Sequence, residues 1–382
     1  MSNAIIDLPA NELGQEPELR TPPVSDSYLM DLLTKALKSN ASDVHIMAGL
    51  PPLFRTHTVL EPAPGYGLLS AEQVEQFVKD MVGPKRFALL LEKRDIDFST
   101  KVPTFGPSLG RFRVNAHFQR DTIAIAFRAI SDKVPELSSL SLPPIVERMV
   151  DLPRGLILVT GQTGSGKSTT LASMIDAMNK RYNCHVITIE DPIEYMLHSN
   201  KCIIEQRELG SDVPSFASGL RHALRQDPDI ILVGEMRDLE TTSAAITAAE
   251  TGHLVLSTLH TQNASQTIER IIDIYPAEQQ NQIRAMLSNT LQAVVSQVLF
   301  KRVDVPGMVP ACEVMVCTPA VRNCIRENRI HEIPNIIETN RASGMCTLDE
   351  SIKALYFNGR ISRQQAIAEA ARPDALSKAL CT

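Results

Sequence analysis

The chain has no tryptophan, and aromatic side chains make up only 4% of its 382 residues. Single-stranded nucleic acid is usually held by stacking on aromatic platforms, so that kind of surface is poorly supplied here. Excess positive charge is also missing. Lysine and arginine number 38 against 44 acidic residues, a formal charge of −6. Basic runs stop at pairs such as Lys85-Arg86, Lys180-Arg181 and Lys301-Arg302, which argues against a duplex-binding face. No apolar run approaches the ~18 residues that a membrane-spanning helix needs. The amino-terminal stretch lacks a basic segment followed by a long apolar one, so no secretory signal is expected. The cysteines are odd in number, 7, and contain no CxxC pair. Reduced thiols are therefore expected rather than a disulfide framework. Cys312 and Cys317 have no second pair at zinc-site spacing, so no metal knuckle is expected.

What remains is an ordinary globular composition, 43% apolar and 21% charged, long enough for two or three domains. Residues 1–25 are polar and proline-rich and read as a disordered tail. Leu29, Leu32, Leu33, Ala36 and Leu37 then recur at helical spacing. Strand-like runs follow at Val44–Met47 and Leu53–Arg55, and a helix fits Ala71–Val82 before Gly83-Pro84. From Arg111 to Gln119 apolar and polar residues alternate, and Ile123, Ile125 and Phe127 repeat the alternation after Arg120-Asp121. That is a hairpin with one buried face. Residues 26–132 thus read as a small α+β domain, and 133–153 as an interdomain linker.

From Arg154 the pattern changes. Short apolar runs at Leu156–Thr160, Val186–Ile189, Ile230–Val233 and Leu254–Leu259 alternate with helical stretches. This alternation predicts an α/β domain over 154–345, with a mostly parallel sheet covered by helices. Residues 346–382 read as helical, with capping boxes at Thr347–Glu350 and Ser362–Gln365. No internal repeat of fixed period is present.

The strongest chemical signal is Gly161-Gln162-Thr163-Gly164-Ser165-Gly166-Lys167-Ser168, followed by Thr169. It matches the phosphate-loop pattern GxxxxGK[ST], with an apolar strand before it and a helix after it carrying Leu171, Met174, Ile175 and Met178. Glycines let backbone N–H groups curl around a phosphate, and the helix N-terminus adds donors. Lys167 would neutralise the β- and γ-phosphates, and the Ser168 hydroxyl would ligate Mg²⁺. Such a loop needs an acidic partner at the end of a second strand. Glu235, after Asp229–Gly234, fits and would hold Mg²⁺ with Ser168. A second acidic cluster, Glu190-Asp191-Pro192-Ile193-Glu194, follows the run Val186–Ile189. Glu194 is its candidate for orienting and deprotonating water, although by composition alone the cluster reads as a solvated turn. His253 and His260 flank the run Leu254–Leu259. On periodicity alone each reads as structural.

Taken together and in order, these blocks resemble the secretion and type IV pilus ATPase superfamily. Gly161–Ser168 resembles its Walker A, Glu190–Tyr195 its Asp box, Asp229–Asp238 its Walker B and Gly252–Thr261 its His box. Ser42–His45 is similar to an amino-terminal segment of the family, and Arg111–Arg120 to its arginine-bearing hairpin. Ala320–Glu327 is similar to the AIRNLIRE signature of the retraction branch, departing at Val321 and Cys324. The tetracysteine insertion of many assembly and secretion ATPases is missing.

The resemblance implies a PAS-like α+β domain followed by a RecA-like P-loop domain, an ATPase that uses ATP and Mg²⁺, and a homohexameric ring. It implies that Glu194 is the general base and that Glu235 is the Walker B carboxylate. It implies that His253 and His260 sense or organise the phosphate site. It also implies that Arg111, Arg113 or Arg120 brings positive charge to the phosphates, with Arg225 and Arg237 as other candidates. The implied output is pilus retraction at the inner face of the cytoplasmic membrane, through a platform protein of the PilC kind and without nucleic acid. An accessory ATPase of the PilU kind is a possible partner. Such an accessory motor, an assembly or secretion ATPase, and a nucleotide-gated ring scaffold are the alternatives for the chain itself.

Overall fold

The computed structural model describes residues 26–56, 59–103, 109–130 and 133–380. The expected tail, 1–25, and Cys381 lie outside them. The chain divides after Ala129 into two compact units. The expected pairing of a PAS-like α+β unit with a RecA-like P-loop unit is what the fold contains.

In the first unit the helix Ser27–Lys38 is capped by Asp26, whose carboxylate accepts the Leu29 N–H at 2.9 Å. It buries the face formed by Leu29, Leu32, Leu33 and Ala36. That face packs on an antiparallel sheet of six strands: β1 (Asp43–Met47), β2 (Leu53–Thr56), β3 (Val59–Pro62), β4 (Asp95–Pro103), β5 (Leu109–Gln119) and β6 (Thr122–Ile130). Their order is β3-β2-β1-β6-β5-β4. The alternation read from the sequence holds on β5. Phe112, Val114 and Ala116 are buried, and the residues between them are only partly so. Arg120 and Asp121 form the tight turn to β6, both with positive φ (45° and 59°), which is the twist a two-residue hairpin requires. The helix expected to end at Gly83-Pro84 does break there: Gly83 has φ 70° and ψ 174°. The chain then re-enters a helix and runs on to Lys93.

The second unit is built on seven strands, β7 (Gly155–Thr160), β8 (His185–Glu190), β9 (Ile203–Glu208), β10 (Ile230–Val233), β11 (Leu254–Leu259), β12 (Leu291–Lys301) and β13 (Met308–Val316). Their order is β13-β12-β7-β11-β10-β8-β9, and every adjacent pair is parallel except β12–β13. β7, β10 and β11 are buried throughout, because helices cover both faces. Alternate side chains of one strand feed the two cores. Leu156 and Leu158 join helices on one side, including Leu239–Glu250 and Ala264–Asp273. Ile157 and Val159 join Leu171, Met174, Ile175 and Met178 of the helix Lys167–Arg181 on the other.

One sequence expectation changes here. The linker 133–153 is built into this unit. Leu137, Val146, Met149 and Val150 are buried in the same core as Ile157, and the Pro135 carbonyl accepts from Ser173 Oγ at 2.8 Å. The carboxy-terminal stretch is helical as expected, and its helices pack on Phe300, Val309 and Ala311 of β12 and β13.

The helix Pro319–Arg326 lies beside Ala277–Thr290 and buries Val321, Cys324 and Ile325. Its Arg322 donates to the Asn289 carbonyl at 2.9 Å, to the Ser288 carbonyl and to Gln292 Oε1 at 3.1 Å. These bonds satisfy carbonyls that the end of the longer helix leaves free. Arg322→Ala is expected to destabilise this unit by about 1.5–3 kcal/mol, seen as a melting temperature lowered by several degrees. An unchanged melting curve would mean that the bonds contribute nothing.

Candidate active site

Strand β7 ends at Thr160, and the next six residues turn back into the helix that begins at Lys167. Gly161 cannot be replaced without moving backbone. Its φ is 140°, and a Cβ there would stand 2.4 Å from the Gln297 carbonyl oxygen and 2.6 Å from Ser165 Oγ. Gln162, Thr163 and Gly164 form an exposed crest, while Gly161, Ser165 and Lys167 are buried beneath it. Ser165 Oγ is buried and makes no hydrogen bond among the described residues. The Lys167 ammonium donates to the carbonyls of Gly161 and Gln162, each at 2.9 Å. Burial pulls its pKa down, while the negative charges of Glu235 and Glu194 oppose the fall without cancelling it. Thr169 Oγ1 lies 2.9 Å from the hydroxyl of Tyr195.

Strand direction brings the acids to the same edge. β7, β8, β10 and β11 run parallel, so their carboxyl ends share one side of the sheet, where ligands of open α/β sheets bind. Glu235 leaves β10 there. Its Oε2 lies 2.8 Å from Arg237 Nη2 and 3.3 Å from His260 Nε2. Burial would raise this carboxyl, but Arg237 and His260 outweigh it and hold it below the ordinary range. Glu194 is exposed in the loop after β8. Asp238, by contrast, is a helix cap, accepting the Thr241 N–H at 2.8 Å.

His260 joins this site; His253 does not. His253 precedes β11, and its carbonyl bonds the N–H of Gly155 at the start of β7, 3.0 Å away. Seven residues of extended chain, roughly 3.3 Å each, separate it from His260 by about 23 Å. Its Nδ1 is 2.9 Å from the Ala248 carbonyl, a local bond at a helix end. Within this chain His253 therefore stands at the edge of the sheet opposite the phosphate loop, held by local bonds. Arg111, Arg113 and Arg120 belong to the first unit. There Arg111 donates to Ser99 Oγ at 3.1 Å, Arg113 pairs with Asp97 at 3.8 Å, and Arg120 is exposed on the turn.

Two residues escaped the sequence reading. Gln297 of β12 donates to Thr170 at 3.0 Å, under the phosphate loop. Gln206 of β9 donates to Glu190 Oε1 at 3.1 Å. Neither sits in a recognisable motif; only the strands paired beyond β8 and beyond β7 would have pointed to them.

The family model for type II/IV secretion system proteins matches residues 124–367. The chain is 46% identical to the type IV pilus retraction ATPase PilT of Pseudomonas aeruginosa, over 91% of this chain and 99% of that protein. It is 42% identical to the twitching motility protein of Neisseria gonorrhoeae, over 93% of each. The crystal structure of the pilus retraction motor PilT with bound ADP superposes with a TM-score of 0.85 at 41% identity, covering 92% of this chain and 99% of that one. The chain belongs to the type II/IV secretion system protein family, in its branch of PilT-type pilus retraction ATPases.

Proposed function

We propose that this chain is an ATP-hydrolysing motor that retracts type IV pili, working as a homohexameric ring. The observation that supports the chemistry best is that the phosphate loop with Lys167, the carboxylate of Glu235 and the loop carrying Glu194 all lie at the carboxyl edge of the parallel sheet. ATP enters with its phosphates in the loop Gly161–Thr169. Lys167 exchanges the two carbonyls it now holds for phosphate oxygens, and the helix N-terminus supplies N–H donors. Glu194, unburdened by an ion pair among the described residues, takes the proton of the attacking water. The products are ADP and phosphate. His260 fixes the orientation of Glu235.

The donor set suits Mg²⁺. The Ser168 hydroxyl and the Glu235 carboxylate are hard oxygen ligands. No cluster of three or more His, Cys, Asp or Glu among the described residues could hold a metal alone, which fits an ion shared with substrate phosphates. When bound, Mg²⁺ neutralises charge on the phosphates. Contact of Arg111, Arg113 or Arg120 with phosphate rests on the resemblance alone.

No helix among the described residues is long and apolar enough to cross a membrane. We place the ring on the cytoplasmic face of the inner membrane, held by a PilC-like platform protein, with a PilU-like ATPase as an accessory partner.

Deleting the gene tests the assignment. Cells bearing many pili but unable to twitch are expected. Bald cells would instead make the chain an assembly ATPase. A purified protein that binds ATP without sustained turnover would make it a scaffold.

A further inference from the structure

The loop that carries Glu194 is held from one side by a single strand. β9 lies at the edge of the sheet, parallel to β8. Its Gln206 and Glu208, two residues apart on one face, both reach across to that loop. Gln206 Nε2 donates to Glu190 Oε1 at 3.1 Å and to the Tyr195 carbonyl at 2.9 Å, and Gln206 Oε1 accepts the Leu197 N–H at 2.8 Å. Glu208 Oε2 accepts the Ile193 N–H at 3.4 Å. Glu190 is itself committed. It accepts from Thr188 Oγ1 at 2.6 Å and from the Glu194 N–H, and burial raises its carboxyl. The backbone on both sides of Glu194 is thus fixed, while its side chain is exposed. The amide has one workable orientation, since flipping it would set oxygen against two oxygens and NH₂ against an N–H.

We infer that Gln206 is a positioning residue for ATP hydrolysis, locking the segment from Glu190 to Leu197 so that Glu194 faces the phosphate loop. The inference rests on the reading of Glu194 as the base. A second tie supports it. Tyr195, whose carbonyl Gln206 holds, places its hydroxyl 2.9 Å from Thr169 in the first turn after the phosphate loop. Releasing the loop from β9 therefore loosens the base relative to the phosphates. Displacement of a catalytic group by about 1 Å costs on the order of 100-fold in rate.

The test compares kcat and KM for ATP in the full-length wild type, Glu194→Gln, Gln206→Ala, Gln206→Met and the double variant Gln206→Met with Glu194→Gln. Methionine keeps nearly the volume of glutamine and removes every polar contact. Gln206→Ala and Gln206→Met are expected to lower kcat about 10- to 100-fold when assayed well below the melting transition, with KM little changed and the melting temperature lowered by only a few degrees as Glu190 and the Leu197 N–H lose a partner. Once Glu194 is already glutamine, Gln206→Met should cost little more, because residues acting through one step are not additive. Wild-type kcat in Gln206→Met would overturn the inference alone. So would an equal fold loss in both backgrounds, or a kcat loss that merely follows a lowered melting temperature. Wild-type turnover in Glu194→Gln would overturn the reading of the base, and the inference with it.

Discussion

Glu194→Gln is expected to bind ATP as the wild type does and to hydrolyse it about 10²–10⁴-fold more slowly, the usual contribution of a general base. The substitution is nearly isosteric and falls on an exposed side chain whose backbone is held by Glu190, Gln206 and Glu208. Nothing that shapes the phosphate loop changes, and Lys167 keeps its carbonyl partners. What is lost is a carboxylate able to take a proton. Glu190 cannot substitute for it, because its oxygens already accept from Thr188, Gln206 and the Glu194 N–H. Glu235 is equally occupied, by Arg237 and His260. Steady-state hydrolysis measured beside binding of a fluorescent nucleotide separates the outcomes. Loss of binding would mean that Glu194 shapes the pocket rather than the chemistry. In cells the variant should leave many pili that do not retract.

The parallel core was legible because buried strands announce themselves. β7, β8, β10 and β11 are continuous apolar runs, and each acquires that character from helices on both faces. The phosphate loop was legible for a different reason: only glycines tolerate the dihedral and the close approach found at Gly161. β9 was not legible. It is an edge strand, Ile203–Glu208, with Ile203 exposed and polar residues turned toward the Asp-box loop, so its hydrophobic pattern is weak. β12 and β13 were missed too. β12 is interrupted by Gln292, Ser296 and Gln297, of which Ser296 and Gln297 are buried against Thr160 and Thr170. Polar residues serving the loop above thus hid the strand that carries them. The position of His253 was also contained in the sequence. It stands before β11, and in a parallel sheet that is the edge opposite the phosphate loop. The linker was misread because proline marks a turn equally well in a hinge and in a segment packed against a helix.

Arg326→Ala is expected to leave ATP turnover within about twofold of wild type and to abolish twitching. The two arginines of the segment Ala320–Glu327 are physically distinct. Arg322 is spent on the carbonyls that end the helix Ala277–Thr290. Arg326 is exposed in the last turn of its own helix, and Asn323 and Glu327 beside it are exposed as well. Inside the chain its contribution is limited to the interaction of a cation with a helix C-terminus, about 0.3–1 kcal/mol. Its removal therefore gives no route to unfolding, and no bond links it to Lys167, Glu194 or Glu235 among the described residues. A motility defect with intact hydrolysis would assign this polar face to the transmission of force, contacting whatever the motor pulls against. Arg326→Lys, which keeps the charge but loses the planar fork, should restore twitching if charge alone is read and fail if a bidentate partner is required. Collapse of turnover in Arg326→Ala would instead place the helix within the hydrolytic machinery, and the separation of work from chemistry would fall.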